Sequence, residues 1–161
     1  MEKVKAVFPG SFDPITYGHI DIVRRVAPFF DEIIILIGDS ASKGPLCTLE
    51  ERQALASEAL TEFKNVKVDI CHGLTVDYMR KNGCSLILRG LRGVIDLEFE
   101  YTMAAMNRKL APEIETMMVG ACPDFAVVSS SLIKEIVVNG GSVSKFVPSN
   151  VEKALKKHLL K

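Results

Sequence analysis

The stretch Glu32-Ile33-Ile34-Ile35-Leu36-Ile37-Gly38 restricts the fold of this 161-residue chain more than any other. Its five apolar residues run without a break, whereas a strand with one wet face would alternate apolar and polar residues. Such a run reads as a parallel strand covered on both faces, and it is much too short to span a bilayer. Parallel strands need long crossovers, usually helices. The flanking sequence supplies them. Val4, Ala6, Val7 and Phe8 read as a short buried strand. His19 to Ala27 reads as a helix, with Ile20, Val23, Val26, Ala27 and Phe30 in one stripe at helical spacing, before Pro28 and Asp31 break it.

Beyond the apolar run, Thr48-Leu49-Glu50-Glu51 has the spacing of a capping box, and Ala56, Ala59, Leu60 and Phe63 give the helix that follows a buried stripe. Val66 to Ile70 reads as a third strand, Val76 to Asn82 as a helix closed by Gly83, and Ser85 to Leu88 as a fourth strand. A helix from about Ile95 to Leu110 precedes Pro112, and Glu115 to Val119 forms a fifth strand. The alternation predicts a doubly wound, Rossmann-like α/β fold, with a five-stranded parallel sheet, right-handed crossovers and helices on both faces. The tail from Ser149 has a second capping-box spacing to Glu152 and a stripe at Val151, Ala154, Leu155 and Leu159, which predicts a packing helix. Residues 1–161 are expected to form a single domain, large enough for a core without disulfides or a structural metal. The helix after Arg92 carries two apolar stripes, Leu97, Tyr101 and Ala104 on one and Phe99, Met103, Met106 and Leu110 on the other. One sheet face does not cover both, so a subunit interface is expected there.

In doubly wound sheets ligands bind beyond the carboxyl ends of the strands, and that is where the chemically marked residues fall. Phe8-Pro9-Gly10-Ser11-Phe12-Asp13-Pro14-Ile15-Thr16-Tyr17-Gly18-His19 leads from the first strand into the first helix. His19 falls in the first turn, where free N–H groups and the positive end of the dipole favour an anion. Gly10 and Gly18 have no Cβ to keep a ligand from the backbone. Arg89 and Arg92 flank Gly90 after the fourth strand, a spacing suited to bidentate capture of phosphate oxygens. Ser129-Ser130-Ser131 begins a helix that continues through Lys134; these hydroxyls serve equally as ordinary caps and as a phosphate nest. No Ser-His-Asp or Cys-His arrangement is recognisable.

Lys plus Arg and Asp plus Glu both number 20, so no net charge calls for a nucleic-acid or membrane partner. Cys47, Cys71, Cys84 and Cys122 are far apart with no C-x-x-C pair, and with only three histidines in the chain no metal-ligand spacing is visible. His72 and His158 have no sequence partners that mark a site. Reduced thiols and a start that enters the first strand without a signal peptide's apolar region lead us to expect a cytoplasmic protein.

Thr16-Tyr17-Gly18-His19 resembles the T/H-x-G-H signature of the nucleotidyltransferase superfamily, and Ser129-Ser130-Ser131-Leu132-Ile133-Lys134 is similar to its second motif, with Lys in place of Arg. With Lys43, Arg89-Gly90-Leu91-Arg92 and Met106-Asn107-Arg108 added, the chain resembles the bacterial phosphopantetheine adenylyltransferase family over nearly its whole length. The resemblance implies transfer of AMP from ATP to 4′-phosphopantetheine, with Mg²⁺ carried by ATP, in a homohexamer. It implies a catalytic role for His19, contacts to phosphopantetheine from Ser11, Lys43, Thr75 and Arg89, and no protein metal ligands. For ATP it implies Ser11, Phe12 and His19, then Gly90, Leu91, Arg92 and Glu100, and the segment Phe125, Ala126, Val127, Val128, Ser129, Ser130 and Ser131. Read from the residues alone, Lys43 is an ordinary loop lysine and Glu100 equally a paired surface charge. Phe125 stands where many members have Trp, Thr75 where a larger apolar residue is frequent, and Ser11 keeps the hydroxyl of the more usual Thr. These departures touch fine specificity. Two alternatives stay open at this point: a sister nucleotidyltransferase with another acceptor, such as nicotinamide mononucleotide or glycerol phosphate, and a non-catalytic nucleotide-sensing module.

Overall fold

The computed structural model describes residues 4–39 and 44–160, so Lys43 lies outside the described residues. Five parallel strands, β1 (Lys5–Gly10), β2 (Glu32–Gly38), β3 (Val66–Cys71), β4 (Leu86–Leu91) and β5 (Glu115–Gly120), form one sheet in the order β3-β2-β1-β4-β5. Ile33 to Ile37 are buried at every position, as an unbroken apolar run between two helical layers requires.

The pleat divides the strands between two cores. On one face Ala6, Phe8, Ile33, Ile35 and Ile37 meet α1 (Tyr17–Val26), α2 (Leu49–Ala59), α5 (Ser130–Val138) and α6 (Ser149–Leu159). On the other, Val7, Ile34 and Leu36 meet Val76 and Met79 of α3 (Thr75–Asn82), together with Ala111 and Ile114. Each fully buried Val, Leu or Ile contributes roughly 1.5–3 kcal/mol.

The capping box at Thr48 and Glu51 forms as expected, with Glu51 N–H donating to Thr48 Oγ1 and Thr48 N–H to Glu51 Oε2. Gly83 closes α3 in the left-handed conformation, φ 64°. Three expectations need correction. No capping box forms at Ser149, because Pro148 is the N-cap and its carbonyl already takes the Glu152 N–H at 3.0 Å. The fourth strand continues past Leu88, since β5 pairs with Arg89, Gly90 and Leu91 in register. The sheet also covers neither apolar stripe of α4 (Val94–Leu110): Leu97, Phe99, Tyr101, Met103, Met106 and Leu110 are all exposed. The line turned inward is instead Asp96, Glu100, Ala104 and Asn107, of which Glu100 is the buried member.

Candidate functional site

The chain builds β1, β2 and β3 outward in one direction and then returns to the other side of β1 with β4. This reversal makes a switch point between β1 and β4, where an open α/β sheet leaves a crevice. The β1–β2 ladder runs on to Gly10 and Ile37, but the β1–β4 ladder pairs only Ala6 with Leu86 and Val7 with Ile87. Pro9 has no N–H with which to extend it, and its carbonyl accepts instead from Arg89 Nη1. Beyond the parted strands lies a cleft of about 690 Å³.

His19 is the third residue of α1, after the N-cap Thr16, and lines this cleft. Thr16 N–H donates to His19 Nδ1 at 3.0 Å, and Thr16 Oγ1 lies 3.1 Å from the same nitrogen. A ring nitrogen that accepts carries no proton, so the hydrogen of the neutral imidazole sits on Nε2. Burial, and then the charges of Arg92 and Arg89, push the pKa of His19 down to about 4. At neutral pH His19 is therefore an uncharged donor held in one tautomer.

The ring is steadied by Phe12, whose centroid lies 4.9 Å from that of His19 and 5.6 Å from that of Phe8. Phe12 is buried at φ 44°, a strained region for a side chain of this size. Its ring fills the space above Gly10, where an added Cβ would lie 2.9 Å from Phe12 Cε2. The gap left by Gly10 thus admits the loop's own aromatic rather than a ligand. At Gly18 a Cβ would touch Phe125 and Thr16 at 3.4 Å, so this glycine lets α1 approach the 3₁₀ turn Pro123–Phe125.

The second helix start joins the loop directly. Ser129 caps α5 by accepting from Leu132 N–H at 3.1 Å, and Ser130 Oγ donates to the Pro14 carbonyl at 2.8 Å. The N-termini of α1 and α5, with their unpaired N–H groups and positive dipole ends, therefore border the same cleft. Lys134 lies in the second turn of this helix and bonds Asp13 Oδ2 at 3.1 Å.

Both arginines of the Arg89-Gly90-Leu91-Arg92 segment hold carboxylates. Arg89 grips Glu100 through Nε–Oε2 at 2.6 Å and Nη2–Oε1 at 2.5 Å; Arg92 grips Asp96 at 2.8 and 2.9 Å. Glu100 is buried, so its negative charge is compensated only while Arg89 or another cation faces it. The Nε–Nη2 edge of each guanidinium is taken by its carboxylate, so an entering anion meets the remaining N–H groups of these arginines or must displace the carboxylate.

Of the residues marked in the sequence, Ser11, Phe12, His19, Thr75, Arg89, Gly90, Arg92, Glu100, Phe125, Val128, Ser129, Ser130 and Ser131 line the cleft. Leu91, Ala126 and Val127 are not part of that lining among the described residues, and Val127 is 73 % exposed.

Two important supports went unmarked. Asp13, buried, accepts from Leu46 N–H at 2.8 Å and Cys47 N–H at 3.0 Å and faces Lys134. Burial alone would raise its pKa, but these two N–H groups and the ammonium hold it below the ordinary carboxylate value. Arg52, fully buried, donates to the carbonyls of Ser11 at 2.9 Å, Gly38 at 3.3 Å and Thr48 at 3.3 Å, fixing the loop after β1 to β2 and α2. The available signal was a charged residue one turn before Ala56, on the stripe of a helix otherwise apolar there.

The Cytidylyltransferase-like family matches residues 7–136 of the chain. A phosphopantetheine adenylyltransferase from Bdellovibrio bacteriovorus is 50% identical over 161 residues, covering 100% of both chains. One from Methylococcus capsulatus is 50% identical over 153 residues, 95% of this chain and 94% of the relative. Among solved structures, one from Vibrio parahaemolyticus, provisionally named a nicotinate-nucleotide adenylyltransferase, superposes with TM-score 0.72 over 96% of this chain and 93% of its own, at 17% identity. That likeness concerns the fold alone. Full-length identity at this level, and motifs that meet across one cleft, place the chain in the phosphopantetheine adenylyltransferase family of cytidylyltransferase-like nucleotidyltransferases.

Proposed function

We propose that this enzyme transfers the adenylyl group of ATP to 4′-phosphopantetheine, giving dephospho-coenzyme A and pyrophosphate, by direct attack without a covalent intermediate. The observation that carries the reading is the meeting of a neutral imidazole donor, two arginines and two helix N-termini at one crevice. A phosphate monoester has its second pKa near ~6 and is already largely a dianion at neutral pH, so no general base is needed. The protein's task is to bring two anions together and to stabilise charge developing on the α-phosphate and leaving pyrophosphate.

In this reading His19 Nε2–H donates to the α-phosphate, and Ser11 orients the incoming phosphate. Arg89 and Lys43 hold the acceptor's phosphate, and Thr75, the first residue of α3, borders its pantetheine arm. Arg92 and Ser129 to Ser131 serve the ATP phosphates, with Phe125 beside the adenine. Mg²⁺ travels with ATP and neutralises charge on the triphosphate. Asp96 and Glu100, the carboxylates lining the cleft, are engaged by arginines, so the donor set fits an ion held by phosphate oxygens and water. The exposed apolar stripes of α4 support assembly into a homo-oligomer, a hexamer by the family resemblance, acting in the cytoplasm.

An acceptor panel tests the reading. With ATP and Mg²⁺ present, pyrophosphate release is expected with 4′-phosphopantetheine and not with nicotinamide mononucleotide or glycerol phosphate. Release with another acceptor only would reassign the substrate, and release with none would remove the proposed activity.

A further inference from the structure

Outside the cleft lining, a thiol, a carboxylate and an imidazole converge. Among the described residues, the donor atoms of Cys47, Glu51 and His158 all lie within 4.8 Å of one another. Cys47 belongs to the loop that precedes α2, Glu51 to the first turn of α2 and His158 to the last turn of α6, 107 residues from Glu51. We propose that these three side chains form a zinc-binding site which fastens α6 to the start of α2. The proposal is independent of the adenylyl-transfer reading.

A hydrogen bond explains only part of the cluster. His158 Nε2 lies 3.3 Å from Glu51 Oε1, a contact sufficient for a helix-to-helix pair. It does not account for a buried thiol at the same point. The thiols of Cys71 and Cys84 are spent on carbonyls, those of Gly73 and Asn82. That of Cys47 is turned toward Glu51 and His158.

Thiolate, imidazole and carboxylate together match Zn²⁺, whereas a hard ion such as Mg²⁺ would avoid the sulfur. Bond lengths of about 2.0–2.3 Å put ligand atoms in a tetrahedral shell roughly 3.5 Å apart, so the cluster closes on an ion by side-chain movement alone. Three protein ligands leave the fourth position to water. One thiolate and one carboxylate balance the two charges of the ion, so the closed site is neutral overall in a partly buried place.

Burial and the nearby carboxylates of Asp13 and Glu51 push the free thiol up to about 11, so metal uptake must release the Cys47 proton to solvent. His158 would shift the ring hydrogen that Nε2 now directs at Glu51 Oε1 to Nδ1, freeing the Nε2 lone pair for the ion, and Glu51 Oε2 would keep its bond from Thr48 N–H at 3.0 Å, so the capping box survives. Cys47 N–H also holds Asp13, which gives the clip a mechanical link to the phosphate-side loop. No spacing in the sequence announces the site, because it is assembled by tertiary packing of the last helix against the start of α2.

The test uses the full chain stripped with a chelator, titrated first with Zn²⁺ alone against a competing indicator and then with Co²⁺ alone. One ion per chain is expected, with about one proton released, a thiolate-to-Co²⁺ charge-transfer band and a melting temperature that rises with Zn²⁺. Cys47→Ser and His158→Gln should each weaken Zn²⁺ binding by about 100-fold or more, the upper end of what even a supporting residue costs. Cys47→Ser should also abolish the band. Failure of the wild type to bind Zn²⁺ at micromolar concentration, or absence of the band from its Co²⁺ form, overturns the site whatever the variants do. Equal affinity in wild type and both variants, or a band that persists in Cys47→Ser, overturns it as well.

Discussion

Thr16 decides what His19 can do. By donating its N–H to Nδ1 it leaves the ring hydrogen on Nε2 of a residue that lines the cleft, and burial beside two guanidinium groups keeps the ring uncharged down to about pH 4. His19→Ala should therefore reduce turnover roughly 10²- to 10³-fold, the range for one preorganised donor, with a smaller effect on ATP affinity; steady-state kinetics with separate ATP titration checks this. The same depression has a sign for stability. The unfolded chain takes up a proton near pH 6.5 and the folded one only near 4, so the contribution is complete above about 6.5 and is lost as pH falls from there toward 4. Chemical denaturation of wild type and His19→Asn should show this acid loss in the difference between them, and a difference that stays flat would put a proton on the folded ring. The histidine itself was legible from its place at a helix start. Its tautomer was not, because it depends on how the Thr16 backbone turns.

Among the elements, the strands and helices of the sheet were readable from periodicity, and their ends and supports were not. β4 outruns its apolar stretch because a strand ends where its neighbour stops pairing, and β5 continues to Gly120. α6 takes Pro148 rather than Ser149 as its N-cap, a choice made by one backbone carbonyl. Arg52 is the clearest support: it holds three carbonyls from β2, the loop after β1 and the start of α2. Arg52→Met keeps an apolar stem but leaves those acceptors without a donor. We expect about 3 kcal/mol of lost stability by denaturant titration, together with a raised acceptor KM as the Ser11 loop loosens. A variant as stable as wild type would mean that water replaces the guanidinium. A charge on the stripe of α2 was legible, but which loop it anchors is set by the fold alone.

At the scale of the whole molecule, strand order β3-β2-β1-β4-β5 creates the crevice, and two distant motifs become neighbours because both end at it. The sequence showed that both lie after strands; only the sheet order shows that those ends are adjacent. The two apolar stripes on α4 were equally legible, but the inward turn of Asp96 and Glu100 was not, since it answers Arg92 and Arg89 rather than a helical period. A 17-residue helix with Leu97 44 % and Tyr101 70 % exposed calls for a partner. On the proposed interface through α4, Leu97→Asp with Tyr101→Asp, neither of which lines the cleft, should leave only monomers in sedimentation velocity where wild type sediments as an oligomer, and unchanged sedimentation would move the interface elsewhere. The central claim is that one cleft joins two anions directly. Its most direct measurement follows label on the α-phosphorus of ATP, supplied with Mg²⁺ and 4′-phosphopantetheine, by mass analysis of every product and of the protein. Direct transfer requires labelled dephospho-coenzyme A, an equal amount of unlabelled pyrophosphate and a label-free chain; label retained on the protein, or ATP bound without product, would rule it out.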